Sequence, residues 1–78
     1  MDIITRDEGD TTVVMLNGKL DTNTTPAAES EINALIDAGA SKLLVNFEQL
    51  SYISSSGLRL LLATAKRLKG NGGDLQVC

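Results

Sequence analysis

Two glycine-marked breaks constrain this chain more than any other feature. Gly39 stops one helical pattern, and Gly70-Asn71-Gly72-Gly73 stops a second. What stands between and before these patterns is short, apolar and β-branched, so strands and helices alternate along the sequence. Asp2-Ile3-Ile4-Thr5-Arg6 and Thr11-Thr12-Val13-Val14-Met15-Leu16 flank the polar turn Asp7-Glu8-Gly9-Asp10, which predicts an antiparallel pair. The second run is apolar at consecutive positions, as in a strand covered on both faces or central in a sheet. Asn17 to Asp21 then reads as a turn.

Thr25 as cap and Pro26 at the first helical position predict a helix that reaches Ala38. Ala28, Ile32, Leu35 and Ile36 fall at helical spacing, and Glu29, Glu31 and Asp37 are left to solvent. Ser41 to Phe47 is a buried strand, Glu48 to Ser51 a turn, and Tyr52-Ile53 a lead into Ser54-Ser55-Ser56-Gly57. The next helix runs from Ser56 to Lys69. Its expected buried stripe is Leu58, Leu61, Leu62, Ala65 and Leu68, with Arg59, Lys66, Arg67 and Lys69 on the wet side. Asp74 to Cys78 begins a last strand.

The order is therefore β-β-α-β-α-β, an α/β fold with a mixed sheet. The first strand is antiparallel to the second, and right-handed crossovers make the rest parallel. Ending on an apolar strand leaves an uncovered edge. That reads as one domain truncated at its carboxyl end, with a homodimer or domain swap through the last strand as the alternative.

Composition removes several function classes. A net charge of −3 lacks the basic face that nucleic acid or an anionic membrane surface requires. One tyrosine, one phenylalanine and no tryptophan give no platform for stacking bases or sugars. With no histidine and a single cysteine, Cys78, neither a zinc site nor an internal disulfide is expected. The usual general base is missing too, so the expectation is a cytoplasmic non-enzyme without cofactor or metal.

In a sheet of this kind partners meet the edge at the carboxyl ends of the parallel strands. There the polar segments Gly18–Asp21 and Asn46–Ser56 should lie together. A helix start presents free amides and a positive dipole end, so a hydroxyl there can carry phosphate. The bland reading of a serine before a helix is a cap, but one oxygen suffices for capping and three hydroxyls are present. Arg59 follows closely, either as a partner contact or simply as an exposed helix cation. Tyr52 is assigned to packing.

These segments resemble the STAS domain of bacterial anti-sigma-factor antagonists. The resemblance rests on Val14-Met15-Leu16-Asn17-Gly18-Lys19-Leu20-Asp21, Leu43-Leu44-Val45-Asn46-Phe47, Leu50-Ser51-Tyr52-Ile53-Ser54-Ser55-Ser56-Gly57-Leu58 and Gly72 to Cys78. In those antagonists the helix-start motif is Asp-Ser-Ser/Thr-Gly, and the serine after the aspartate is phosphorylated. Here Ser54 takes the aspartate position and Ser55 that of the phosphorylated serine, while Ser56 and Gly57 complete the motif. Asp21 matches an acidic residue near that site. The resemblance implies a protein that binds an anti-sigma factor with serine kinase activity through Asp21, Ser54, Ser55, Ser56, Gly57 and Arg59. Phosphorylation of Ser55 releases it, and a phosphatase reactivates it. It also implies further carboxyl-terminal elements. The alternative, favoured by a neutral Ser54, is a STAS scaffold or sensor module without a phosphoswitch.

Overall fold

The computed structural model describes residues 1–78. Its elements are β1 (Asp2–Glu8), β2 (Thr11–Leu20), α1 (Thr25–Asp37), β3 (Lys42–Asn46), β4 (Leu50–Ile53), α2 (Ser55–Gly70) and β5 (Asp74–Val77). They form a five-stranded mixed sheet in the order β1-β2-β3-β5, with β4 also on β2. β1 runs antiparallel to β2, and β2–β3 and β3–β5 are parallel, as the sequence predicts; β4 is also parallel to β2.

β2 is the central strand. Its first half pairs with β3 from Thr12 to Met15, and its last residues pair with β4 from Gly18 to Leu20. The register shifts between Gly18 and Lys19, where Gly18 takes a φ of 112° that favours glycine. What reads in sequence as the turn Asn17–Asp21 is thus the end of a longer strand. Likewise, part of the Glu48–Ser51 turn belongs to β4, a strand absent from the sequence expectation.

One face of the sheet holds the core. Val14, Leu16 and Leu20 of β2 and Leu43 and Val45 of β3 share a pleat side. Against them pack Ala28, Ile32 and Ile36 of α1 and Leu60, Leu61 and Leu68 of α2. β2 is apolar at consecutive positions because it is central, not because helices cover both faces: Ile4, across from Met15, is exposed.

The buried stripe of α2 differs from expectation. Gly57, Leu60, Leu61, Thr64 and Leu68 face inward, whereas Leu58 and Leu62 are 53% and 64% exposed. Thr64 tolerates burial because its Oγ1 donates to the Leu60 carbonyl at 2.8 Å, so no polar atom is orphaned. Arg67 is not simply on the wet side, since it reaches across to Asn33 and Asp37 of α1. No helix is long and apolar enough to cross a membrane.

Candidate site at the start of the second helix

The site is built where β2 ends. The Leu20 carbonyl accepts the Ser54 amide at 2.8 Å, and the Gly18 amide donates to the Gln49 carbonyl at 3.1 Å. Ser51 Oγ adds a bond to the Gly18 carbonyl at 3.0 Å. Gly18–Asp21 and the segment leading to Ser56 therefore meet at one sheet edge, as their positions after parallel strands predict.

Ser54 is the N-cap of α2. Its backbone is extended, and its Oγ accepts the Gly57 amide at 3.2 Å. With its amide on Leu20 and its carbonyl accepting from Leu58, every polar group of Ser54 is engaged within the fold. Ser55 is the first helical residue; it is exposed, and its hydroxyl has no partner in the chain. Ser56 is half-buried, also without a side-chain hydrogen bond. Of the three serines one caps, and the next presents a free hydroxyl at the positive end of a 16-residue helix.

Gly57 is buried for a reason unrelated to φ. A Cβ placed on it would lie 2.8 Å from Leu20 Cγ and Cδ2, and 3.1 Å from Ile53 Cγ1. Glycine lets the first turn of α2 sit directly on the last residue of β2. Its role is thus close packing inside the helix rather than an open turn before it.

Asp21 begins the link to α1. Its Oδ1 accepts from the amides of Asn23 at 2.9 Å and Thr24 at 3.1 Å. The Thr24 amide above all, then the Asn23 amide, with the charge of Lys19, hold the carboxyl below its usual pKa against a desolvation penalty. Thr24 is the N-cap of α1, in place of the expected Thr25, yet makes no side-chain cap bond. Its Oγ1 accepts the Asp21 amide at 2.9 Å and lies 2.7 Å from the Lys19 carbonyl. A hydroxyl has one proton, and that shortest contact is where it goes. Asp21 Oδ2 is left without a partner in the chain, one residue past Leu20, whose carbonyl holds the Ser54 amide.

Arg59 is exposed, forms no ion pair, and stands one helical turn beyond Ser55 on the same face. Tyr52, assigned to packing from sequence, is instead 53% exposed on β4. Sequence reasoning passed over it and the outward Leu58 and Leu62. The signal for the two leucines was the competing stripe through Gly57, Leu60, Leu61, Thr64 and Leu68.

The STAS domain family matches residues 2–78. BtrV of Bordetella bronchiseptica is 33% identical over 66 residues, covering 85% of this chain and 57% of that protein. The anti-sigma-B factor antagonist of Staphylococcus aureus is 34% identical over 64 residues, covering 82% and 59%. The chain therefore spans somewhat more than half the length of these curated relatives. Among solved structures, the Bacillus cell fate determinant SpoIIAA in its phosphorylated form superposes with a TM-score of 0.80 at 29% identity, over 95% of this chain and 68% of that one. SpoIIAA in its unphosphorylated form gives 0.83 at 28% identity, over 97% and 71%.

Proposed function

Because this chain belongs to the STAS domain family, we propose that it acts as an anti-sigma-factor antagonist switched by phosphorylation of Ser55. The observation that carries the proposal is the exposed, unpartnered Ser55 hydroxyl at the start of α2. The names of its relatives and the two solved forms of SpoIIAA support the same reading. The partner is an anti-sigma factor with ATP-dependent serine kinase activity, and binding frees the sigma factor that it restrains. Such a protein works in the cytoplasm.

The chain is the substrate of phosphoryl transfer rather than its catalyst. The γ-phosphoryl group of ATP passes to Ser55 Oγ, ADP leaves, and the hydroxyl proton goes to a base on the partner. Phosphate brings about 1.5–2 negative charges in place of a neutral hydroxyl. The amides and dipole of α2 favour that charge by only about 0.3–1 kcal/mol. Its larger effect is on the complex, where the dianion must be desolvated or face the partner's own acids. A phosphatase then restores the binding form.

The test is intact mass and peptide mapping of the protein from its own cells, and after incubation with lysate and ATP. Phosphate is expected on Ser55 and absent from Ser55→Ala. In binding assays Ser55→Ala should hold the anti-sigma factor constitutively and Ser55→Asp poorly; equal affinities for the two would refute the switch. A second reading, a scaffold module without the switch, has one observation in its favour. Ser54, at the position where the antagonists have aspartate, uses its oxygen as a cap and adds no charge.

A further inference from the structure

The face of the sheet opposite the helices has no covering layer. Ile3 packs on the core, so Ile4, Arg6 and Glu8 of β1 point the other way. By the same alternation Val13 and Met15 of β2 and Lys42 and Leu44 of β3 point outward, because Val14, Leu16, Leu43 and Val45 are buried. Ile4 is 53% exposed, and Val13, Met15 and Leu44 are half-buried. These four apolar side chains form one patch, since the registers set Ile4 beside Met15 and Val13 beside Leu44. Between β1 and β2 the patch is indented by a cleft of about 270 Å³, lined by Ile4, Thr5, Arg6, Val13 and Met15.

We infer that this face packs on the same face of a second copy of the chain, as a two-fold sandwich of sheets. Charge complementarity selects a copy over a partner of one sign. The patch is centred on β2 and flanked by the Glu8 carboxylate on β1 and the Lys42 ammonium on β3, both level with Thr11. A two-fold axis along β2 exchanges β1 and β3, so Glu8 of each copy opposes Lys42 of the other. Lys42 already donates to Asp10 at 3.1 Å and keeps donors for a second carboxylate. The same operation lays β3 over the cleft between β1 and β2, so Leu44 of each copy fills the cleft of the other. Val13 and Met15 meet their own counterparts across the axis, and the burial of all four side chains drives association. With β1 seven residues long, three strands make a face of roughly 15 by 23 Å. Two such faces bury less than the about 1,200 Å² of a stable complex, so the dimer is weak, with a Kd of about 0.1–1 mM. The inference is independent of the antagonist reading. The helices form the outer layers of the sandwich, and Ser55 of both copies stays exposed.

The test is NMR of the chain from about 0.05 to 2 mM, a range that brackets such a dimer. The rotational correlation time should rise toward about twice the monomer value, with concentration-dependent methyl shifts at Ile4, Val13, Met15 and Leu44 and none in α2. In a mixture of isotope-labelled and unlabelled copies, contacts between copies should join Leu44 to Val13 or Ile4. Met15→Lys sets two ammonium groups together on the axis, and Leu44→Thr empties the cleft. Each should weaken association about tenfold or more. Both side chains are open to solvent in part, so both variants should keep a cooperative melt. Should Met15→Lys lose it, Leu44→Thr carries the comparison alone. A wild type that is monomeric at every concentration overturns the inference and leaves the face to a different protein. Association that the folded variants retain, or whose shifts lie along β5, overturns it in favour of pairing through the edge strand.

Discussion

Replacing Gly57 by alanine tests how the site is assembled. Within a helix at ordinary φ, glycine to alanine normally stabilises by up to about 1 kcal/mol. Here the added methyl would meet Leu20 Cγ and Cδ2 at 2.8 Å and Ile53 Cγ1 at 3.1 Å. Ile53 is 37% exposed and can yield, but Leu20 is 0% exposed and its Cγ is a branch carbon rather than a flexible end. Overpacking of this kind costs about 1–3 kcal/mol, so the steric term should exceed the propensity gain and leave a net loss of about 1–2 kcal/mol. In a domain of this size that is a fall in Tm of roughly 5–15 °C. The assay is urea unfolding with the m-value held free, checked by thermal melts. Leu20→Ala costs about 2–5 kcal/mol by itself but removes the obstacle. The double variant should therefore be about 1 kcal/mol more stable than the sum of the two single changes. A Gly57→Ala protein as stable as wild type, or more so, would refute the packing argument.

Two further expectations concern the same corner. Ser54→Ala removes the cap on the Gly57 amide and should cost about 1 kcal/mol, whereas Ser54→Asp keeps an acceptor and adds a favourable charge, so it should be no less stable in the same melts. The Asp21 carboxyl is held below its usual value by the Thr24 and Asn23 amides, so its contribution is complete above the unfolded-state pKa of about 3.9 and fades as pH falls through the lower folded value. NMR titration should find Asp21 below the usual carboxylate range, with Asp21→Asn flattening the acid side of the stability profile. An ordinary pKa would mean that the amide bonds do not persist in solution.

The order of elements and the strand directions were legible because glycines and apolar runs punctuate the chain clearly. Gly39 and the Gly70–Gly73 segment bracket the helices, with Gly70 the last residue of α2. β4 was not legible: Leu50–Ile53 is four residues long, and its pairing depends on β2 continuing past Gly18, a feature of tertiary structure. The phase of α2 failed for a different reason. Leucines at 58, 60, 61, 62 and 68 occupy opposing faces, so hydropathy alone cannot orient the helix. The deciding residues were Gly57, which must sit on Leu20, and Thr64, which satisfies its own hydroxyl; neither scores as apolar. Within the site, Ser55 was singled out by the resemblance to the antagonists' helix-start motif, and Thr24 displaced Thr25 because its hydroxyl joins the Asp21 turn.

Leu20 fastens the site twice, through its side chain under Gly57 and its carbonyl on the Ser54 amide. The residues on either side of Ser55 are thus anchored to a fully buried leucine of the core. A phosphate on Ser55 would be added to a helix start held in place by the core. If Ser55 is the switch, the memory of the signal resides in the competing rates of the enzymes that add and remove its phosphate. Its duration can then be tuned by their abundance, with no change to this fold.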